Sequence, residues 1–176
     1  MTDRYDAIIL GGGAAGLMCA AIAGQRGRRV QVLEKAEQPG KKILISGGGR
    51  CNFTNINTAP DRYLSANPHF AKSALSRYTA RDFLALVEAH GIAWHEQTLG
   101  QLFCDGSSKQ IVAMLLEECA KGGAEVRCND EVTAVDHVDG VFSVTGNGHL
   151  LTAKAVVIAT GGPSIPKMGA TGYAYE

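Results

Sequence analysis

The sequence carries no excess charge of either sign, because seventeen Lys and Arg offset seventeen Asp and Glu over its 176 residues. That balance leaves no bulk field to recruit a polyanion or an anionic membrane, and its clustered bases form only short pairs such as Arg28-Arg29 and Lys41-Lys42. No apolar run approaches the roughly twenty residues of a membrane span. The N-terminus also lacks the basic, then apolar, then small-residue pattern of a secretory signal. These absences predict a cytoplasmic chain that takes a small-molecule substrate and has neither a nucleic-acid nor a membrane partner; they leave the oligomeric state open. The five cysteines show no C-x-x-C and no zinc-ligand spacing, which excludes a sequence-adjacent redox dithiol and predicts reduced, packing thiols. His69, His90 and His95 have no mutual spacing that suits a metal, so no metal is expected.

Glycine is abundant instead, with 22 residues gathered into a few stretches. The first follows Tyr5-Asp6-Ala7-Ile8-Ile9-Leu10, an apolar and β-branched run long enough for a buried parallel strand. Gly11-Gly12-Gly13-Ala14-Ala15-Gly16 then reads G-x-G-x-x-G. Gly11 makes the tight turn, Gly13 admits close approach of a pyrophosphate, and Gly16 lets the next helix pack on the sheet. That helix is small-sided and stops near Gly27. Val30-Gln31-Val32-Leu33 predicts a second strand with Glu34 at its end, eighteen positions after Gly16, where a carboxylate can accept both hydroxyls of a ribose. Such an acid favours an unphosphorylated ribose, as in FAD or NAD.

A second glycine cluster, Gly47-Gly48-Gly49, lies in an irregular stretch between Lys35 and Asn57 that also holds Lys41, Lys42 and Arg50. Backbone that can lie against a flat ring, with positive charge beside it, suits an electron-accepting cofactor. Residues 59–106 read as a helical excursion: a short helix near Phe70 to Arg77, and a second from Ala80 to His90 opened by the cap Thr79 with Asp82. Ser107 to Gln110 repeats that capping pattern and opens a helix ended by Gly122-Gly123. Glu125 to Cys128 predicts a third parallel strand. Val132–Val138, Val141–Thr145 and His149–Thr152, joined at Asp139-Gly140 and Asn147-Gly148, predict a three-stranded antiparallel meander. Ala155 to Ile158 reads as a fully buried strand running into Ala159-Thr160-Gly161-Gly162, after which Pro163, Pro166 and Gly169 keep the chain irregular. The fold expected is α/β, a Rossmann-like FAD-binding domain with a parallel sheet, crossover helices and that meander.

Gly11 to Gly16 with Glu34-Lys35, the segment Ser46-Gly47-Gly48-Gly49-Arg50-Cys51-Asn52-Phe53-Thr54-Asn55, and Ala159-Thr160-Gly161-Gly162 with Gly169-Ala170-Thr171-Gly172 together resemble the BaiN-like, or aminoacetone-oxidase-like, family of FAD-dependent oxidoreductases. The resemblance covers essentially the whole chain and is most specific in the second glycine segment. It implies that Gly11, Gly13, Ala14, Ala15 and Gly16 receive the FAD pyrophosphate, that Glu34 with Lys35 takes the adenosine ribose, and that Val132 holds the adenine through its backbone. Ala159, Thr160 and Gly161 would line the cofactor, and Lys42, Ser46, Gly48, Gly49, Arg50, Cys51 and Asn52 would lie toward the flavin. Where such proteins often carry Arg-(Val/Phe)-Pro, this chain has Leu102-Phe103-Cys104-Asp105. Members of the family are about twice this long, so a substrate lobe and a C-terminal FAD segment are expected to be absent. The activity implied is hydride passage from a nicotinamide donor, NADH or NADPH, through the flavin to an organic acceptor or oxygen, with no residue assignable as the catalytic acid. The alternatives are an NAD-dependent dehydrogenase, which leaves the second glycine cluster without a task, an inactive truncated nucleotide-binding module, and an RNA-modifying flavoprotein, ranked low for want of a basic face.

Overall fold

The computed structural model describes residues 3–162, so the expectations for Pro163, Pro166 and Gly169 to Gly172 lie outside the described residues. The chain divides into two compact units, residues 1–41 with 115–176, and residues 42–114. In chain order the described strands are β1 (Asp3–Leu10), β2 (Val30–Leu33), β3 (Asn52–Asn55), β4 (Trp94–Glu96), β5 (Gln101–Cys104), β6 (Glu125–Arg127), β7 (Val132–Val138), β8 (Val141–Gly146) and β9 (His149–Ile158). The α-helices are α1 (Ala14–Gln25), α2 (Lys41–Ile45), α3 (Lys72–Arg77), α4 (Ala80–Ala89) and α5 (Ser108–Lys121).

Unit one is built on a six-stranded sheet in the order β6-β2-β1-β9-β8-β7. β1, β2 and β6 are parallel, with Leu10 opposite Leu33 and Val32 opposite Val126. All four residues of β2 are buried, as expected of a strand covered on both faces. The one polar member, Gln31, accepts from the Tyr5 hydroxyl at 3.1 Å and donates to the Glu125 carbonyl at 3.2 Å, so its burial leaves the amide paired. Helix α1 connects β1 to β2 and buries Gly16, Leu17, Ala20, Ala21 and Gly24. A Cβ at Gly24 would lie 2.7 Å from the Gly122 carbonyl oxygen, so this small-sided helix lets the end of α5 come backbone-close.

The meander forms as β7, β8 and β9. Asp139-Gly140 and Asn147-Gly148 both carry two consecutive positive φ values (50° and 76°, 44° and 76°), the type I′ geometry that suits strand twist. The structure corrects two expectations here. The meander's third strand and the strand after it are one element: β9 pairs antiparallel with β8 over 149–153 and parallel with β1 over 151–158, joining the two parts into one sheet. Nor is its second half fully buried, since Ile158 is 53% exposed and Ala155 is exposed. An apolar run records the side chains present and not how much of each face the fold covers.

Unit two holds a separate antiparallel sheet, β3-β5-β4, which the hydrophobic pattern of the sequence does not predict. The stretch expected to be irregular forms α2, a 3-10 turn over Ser46–Gly49 and β3. Within the helical excursion, α3 and α4 are joined by β4 and β5. Thr79 and Asp82 make the expected capping box on α4: the Thr79 hydroxyl accepts from Asp82 N–H at 3.2 Å and the Asp82 carboxylate from Thr79 N–H at 2.7 Å. At α5 half of that pattern forms: Gln110 Oε1 accepts from Ser107 N–H at 3.1 Å, while the Ser107 hydroxyl accepts from Lys109 N–H at 3.3 Å.

Candidate functional site

In unit one, β1 delivers the chain into the glycine turn at the C-terminal edge of the sheet, where open α/β folds bind ligands. Gly11 is anchored by its N–H to the Leu33 carbonyl at 2.8 Å and has φ of 107°. A Cβ there would stand 2.5 Å from the carbonyl oxygen of Ala159, and a Cβ at Gly16 would collide with the carbonyl oxygen of Gly11. Both glycines are therefore required by the fold itself. Gly13 is different: it is the N-cap of α1 with φ −81°, an ordinary conformation, and a Cβ there would meet nothing within 4 Å. Nothing in the described chain needs a glycine at that position, which leaves clear space beside the first turn of α1. That turn has no acidic residue and no side-chain cap, and Ala14 and Ala15 expose its backbone. The space and the uncapped N–H groups together fit the anionic bridge of a dinucleotide.

Glu34 stands against the same turn. Its Oε2 accepts from Gly12 N–H at 2.6 Å and its Oε1 from Ala36 N–H at 2.8 Å. Each carboxylate oxygen keeps a second lone-pair direction, so the acid can hold the loop and still accept ribose hydroxyls. Its backbone is fixed as firmly: Glu34 N–H donates to the Arg127 carbonyl at 2.8 Å and its own carbonyl accepts from Asp130 N–H at 2.9 Å. Gly40 N–H closes the neighbouring loop onto the Gly12 carbonyl at 2.9 Å. The turn at 127–130 thus positions both Glu34 and the start of β7, where Val132 is buried two residues beyond Asp130. Lys35, expected at the ribose, holds Glu131 at 2.6 Å on the surface. Ala159 is anchored by its N–H to the Leu10 carbonyl at 2.8 Å, Thr160 is exposed, and Gly161 has φ of 77°.

Sequence reasoning gave no site role to Gly12 or Asp130 and read Gly40 only as part of a turn. Gly12 has a single informative mark, its place inside the motif. Asp130 holds Glu34 through a backbone N–H that any residue but proline possesses, whereas Gly40, at φ 75°, has the left-handed conformation that the Pro39-Gly40 turn signals. Asp130 is 3% exposed, with His149 Nε2 at 3.5 Å and Arg127 NH1 at 3.7 Å from its Oδ2, while its Oδ1 has no hydrogen-bond partner.

In unit two the second glycine run is a left-handed turn, with φ of 58°, 65° and 89° at Gly47, Gly48 and Gly49, continued by 55° at Cys51. Cys51 N–H donates to the Ser46 carbonyl at 2.9 Å, and Arg50 presents its carbonyl to Cys104 N–H at 3.0 Å. Cys104 therefore lies beside Cys51, a proximity that a spacing of fifty-three residues conceals. Burial pushes the Cys51 thiol up to about 11, the neighbouring Cys104 adds to this, and a hydrogen bond with Ser46 opposes it. At neutral pH Cys51 is a protonated packing thiol and a poor nucleophile. The Asn52 Oδ1 is buried without a hydrogen-bond partner, an acceptor of the kind that a bound ligand's N–H satisfies. Lys42 is exposed on α2 and Arg50 is exposed on the turn. Among the described residues, no group of three or more His, Cys, Asp or Glu could hold a metal, and no helix is long and apolar enough to cross a membrane.

Comparison with known proteins gives the family and the fold. The chain is 55% identical over 174 residues to the ribosomal RNA dihydrouridine synthase of Escherichia coli, covering 99% of this chain and 44% of that protein. It is 30% identical over 171 residues to the 3-dehydro-bile acid delta(4,6)-reductase of Clostridium scindens, covering 95% of this chain and 41% of that protein. It thus spans less than half the length of these relatives. Among solved structures, 3-ketosteroid-delta4-(5alpha)-dehydrogenase from Rhodococcus jostii superposes with a TM-score of 0.64 at 16% identity over 91% of this chain and 46% of its own, a likeness of fold. The glycine turn, the acid after β2 and the sheet order are those of a Rossmann domain, and the match over residues 5–176 places this chain in the HI0933-like protein Rossmann domain family.

Proposed function

We propose that this chain is the FAD-binding portion of a flavoenzyme that reduces a uracil base in ribosomal RNA. The observation that carries the substrate class is the 55% identity to the Escherichia coli RNA dihydrouridine synthase, which runs through 99% of the chain, against 30% for the bile-acid reductase. The observation that carries the cofactor is the clear space at Gly13 beside an uncapped helix start, with Glu34 aimed at the same turn.

When bound, FAD supplies a two-electron carrier that accepts hydride from a nicotinamide donor and passes it to the acceptor. The residues of the chain hold and orient it. Gly13, Ala14 and Ala15 offer backbone N–H groups to the pyrophosphate, and Glu34 accepts the ribose hydroxyls while retaining Gly12. Val132 offers backbone to the adenine, and Ala159 to Gly161 supply a small-sided edge. By its resemblance, the second glycine run serves the flavin, with the Asn52 oxygen as acceptor and Lys42 and Arg50 as cations. A small organic acceptor is the second reading; what supports it is the 30% identity to the bile-acid reductase together with the BaiN-like resemblance of the second glycine segment.

The test is the visible absorbance of the purified chain before and after adding FAD, with Glu34→Ala alongside. The expected result is a bound-flavin spectrum that Glu34→Ala weakens by at least about tenfold in affinity. Absence of flavin uptake, in the chain and in a version extended to the length of the relatives, would refute the FAD reading. The acceptor is then decided with the extended, flavin-loaded protein and a nicotinamide donor, by whether RNA uridine or an unsaturated ketone gains two hydrogens.

A further inference from the structure

We infer that a recess in unit two, between the end of β3 and the turn that precedes β5, docks a nucleotide of single-stranded RNA. This deepens the RNA reading above and rests on it. The recess is a shallow, open one of about 530 Å³, lined by Asn55, Asn57, Thr58, Arg62, Tyr63 and Leu99. An open recess suits a base laid against a surface rather than a ligand sealed from water.

The walls are built rather than incidental. Asn55 Nδ2 donates to the Leu99 carbonyl at 3.0 Å, and Asn57 Nδ2 donates to the same oxygen at 3.3 Å. Asn57 N–H donates to Asn55 Oδ1 at 2.8 Å, the Thr58 hydroxyl to the Asn55 carbonyl at 2.7 Å, and Ile56 N–H to the Gly100 carbonyl at 2.9 Å. The turn they fix holds Leu99 at φ 62°, a left-handed conformation rare for leucine, with its side chain 84% exposed. The Leu99 carbonyl ties the turn together, but its side chain is left to solvent in the same recess as Tyr63, which is 48% exposed.

The chemistry of the lining selects the occupant. It contains an aromatic ring, a branched apolar side chain, two amides, a hydroxyl and a guanidinium, and no acid. Tyr63 and Leu99 suit the faces of a base, and Arg62 suits its phosphate. Arg62 is not committed elsewhere by a strong bond: its contact with Asp61 is 3.9 Å long, with both side chains more than 70% exposed. Although the whole chain is neutral, the one charge among the lining residues is the positive charge of Arg62. An apolar peptide in the same place would bury the polar heads of Arg62 and Asn57 without phosphate to meet them.

The test is fluorescence anisotropy of an end-labelled, uridine-rich single-stranded RNA with the wild-type chain, Tyr63→Ala and Arg62→Gln, with FAD absorbance recorded on each. Tyr63→Ala is expected to weaken RNA binding by about tenfold. Arg62→Gln is expected to weaken it less and to lower the salt slope by about one. Both variants keep FAD uptake, which shows that they are folded. RNA binding that is unchanged in both variants overturns the site, as does a chain that takes up FAD and ignores RNA. Salt-insensitive self-association lost in Leu99→Ala would give the recess to a protein partner and likewise overturn it. Failure to take up FAD at all falls on the cofactor reading instead.

Discussion

The two glycine runs look alike in sequence and differ in physics. In the first, Gly11 and Gly16 are required because backbone carbonyls occupy the places their Cβ atoms would take. In the second, Gly48 and Gly49 have room for a side chain, and what they supply is positive φ. Crowding by backbone dominates the first run and handedness the second, where Gly47 alone is also crowded. Gly13 belongs to neither class, because it has both room and an ordinary φ, and so nothing in the described fold calls for glycine there.

That division can be tested by single alanines in thermal melts. Gly16→Ala drives a methyl into the Gly11 carbonyl, and the expected loss is more than about 3 kcal/mol together with FAD uptake. Gly47→Ala combines φ 58° with a Cβ placed 2.5 Å from the Phe103 ring, so about 2 kcal/mol is expected. Adding Phe103→Leu should recover the part owed to the ring and not the part owed to the Asn52 N at 2.9 Å or to the left-handed backbone, which a double-mutant cycle separates. Gly48→Ala meets only the left-handed strain at φ 65°, about 1 kcal/mol, and Gly48→Asn should cost less than alanine. Gly13→Ala should leave the melting temperature within experimental scatter while weakening FAD by at least about tenfold, since its methyl would fill space meant for phosphate. A clear fall in melting temperature for Gly13→Ala would erase the distinction between the first run's glycines.

The sequence was most readable where the chemistry is local. The strand before Gly11, Glu34 at the end of β2, the Thr79–Asp82 cap and the Asp139-Gly140 and Asn147-Gly148 hairpins each depend on residues within a few positions, and the structure forms them all. The β3-β5-β4 sheet was not readable. Its strands are three or four residues long, β3 is the polar run Asn52-Phe53-Thr54-Asn55, and its partner Gln101–Cys104 lies more than forty residues away. The hold of Gly12 on Glu34 and the meeting of Cys51 with Cys104 are likewise products of folding, invisible to spacing.

The double pairing of β9 also sets a timetable. The growing chain can join β1 to β2 early, but the other side of β1 pairs with Leu151 through Ile158 and stays open until those residues leave the ribosome. Meanwhile the Asp139-Gly140 and Asn147-Gly148 hairpins can fold on themselves, so that β9 arrives already backed by β8. Until then the strand that carries the first glycine turn is a bare sheet edge, and a chaperone that shields Asp3–Leu10 would protect the nascent chain there.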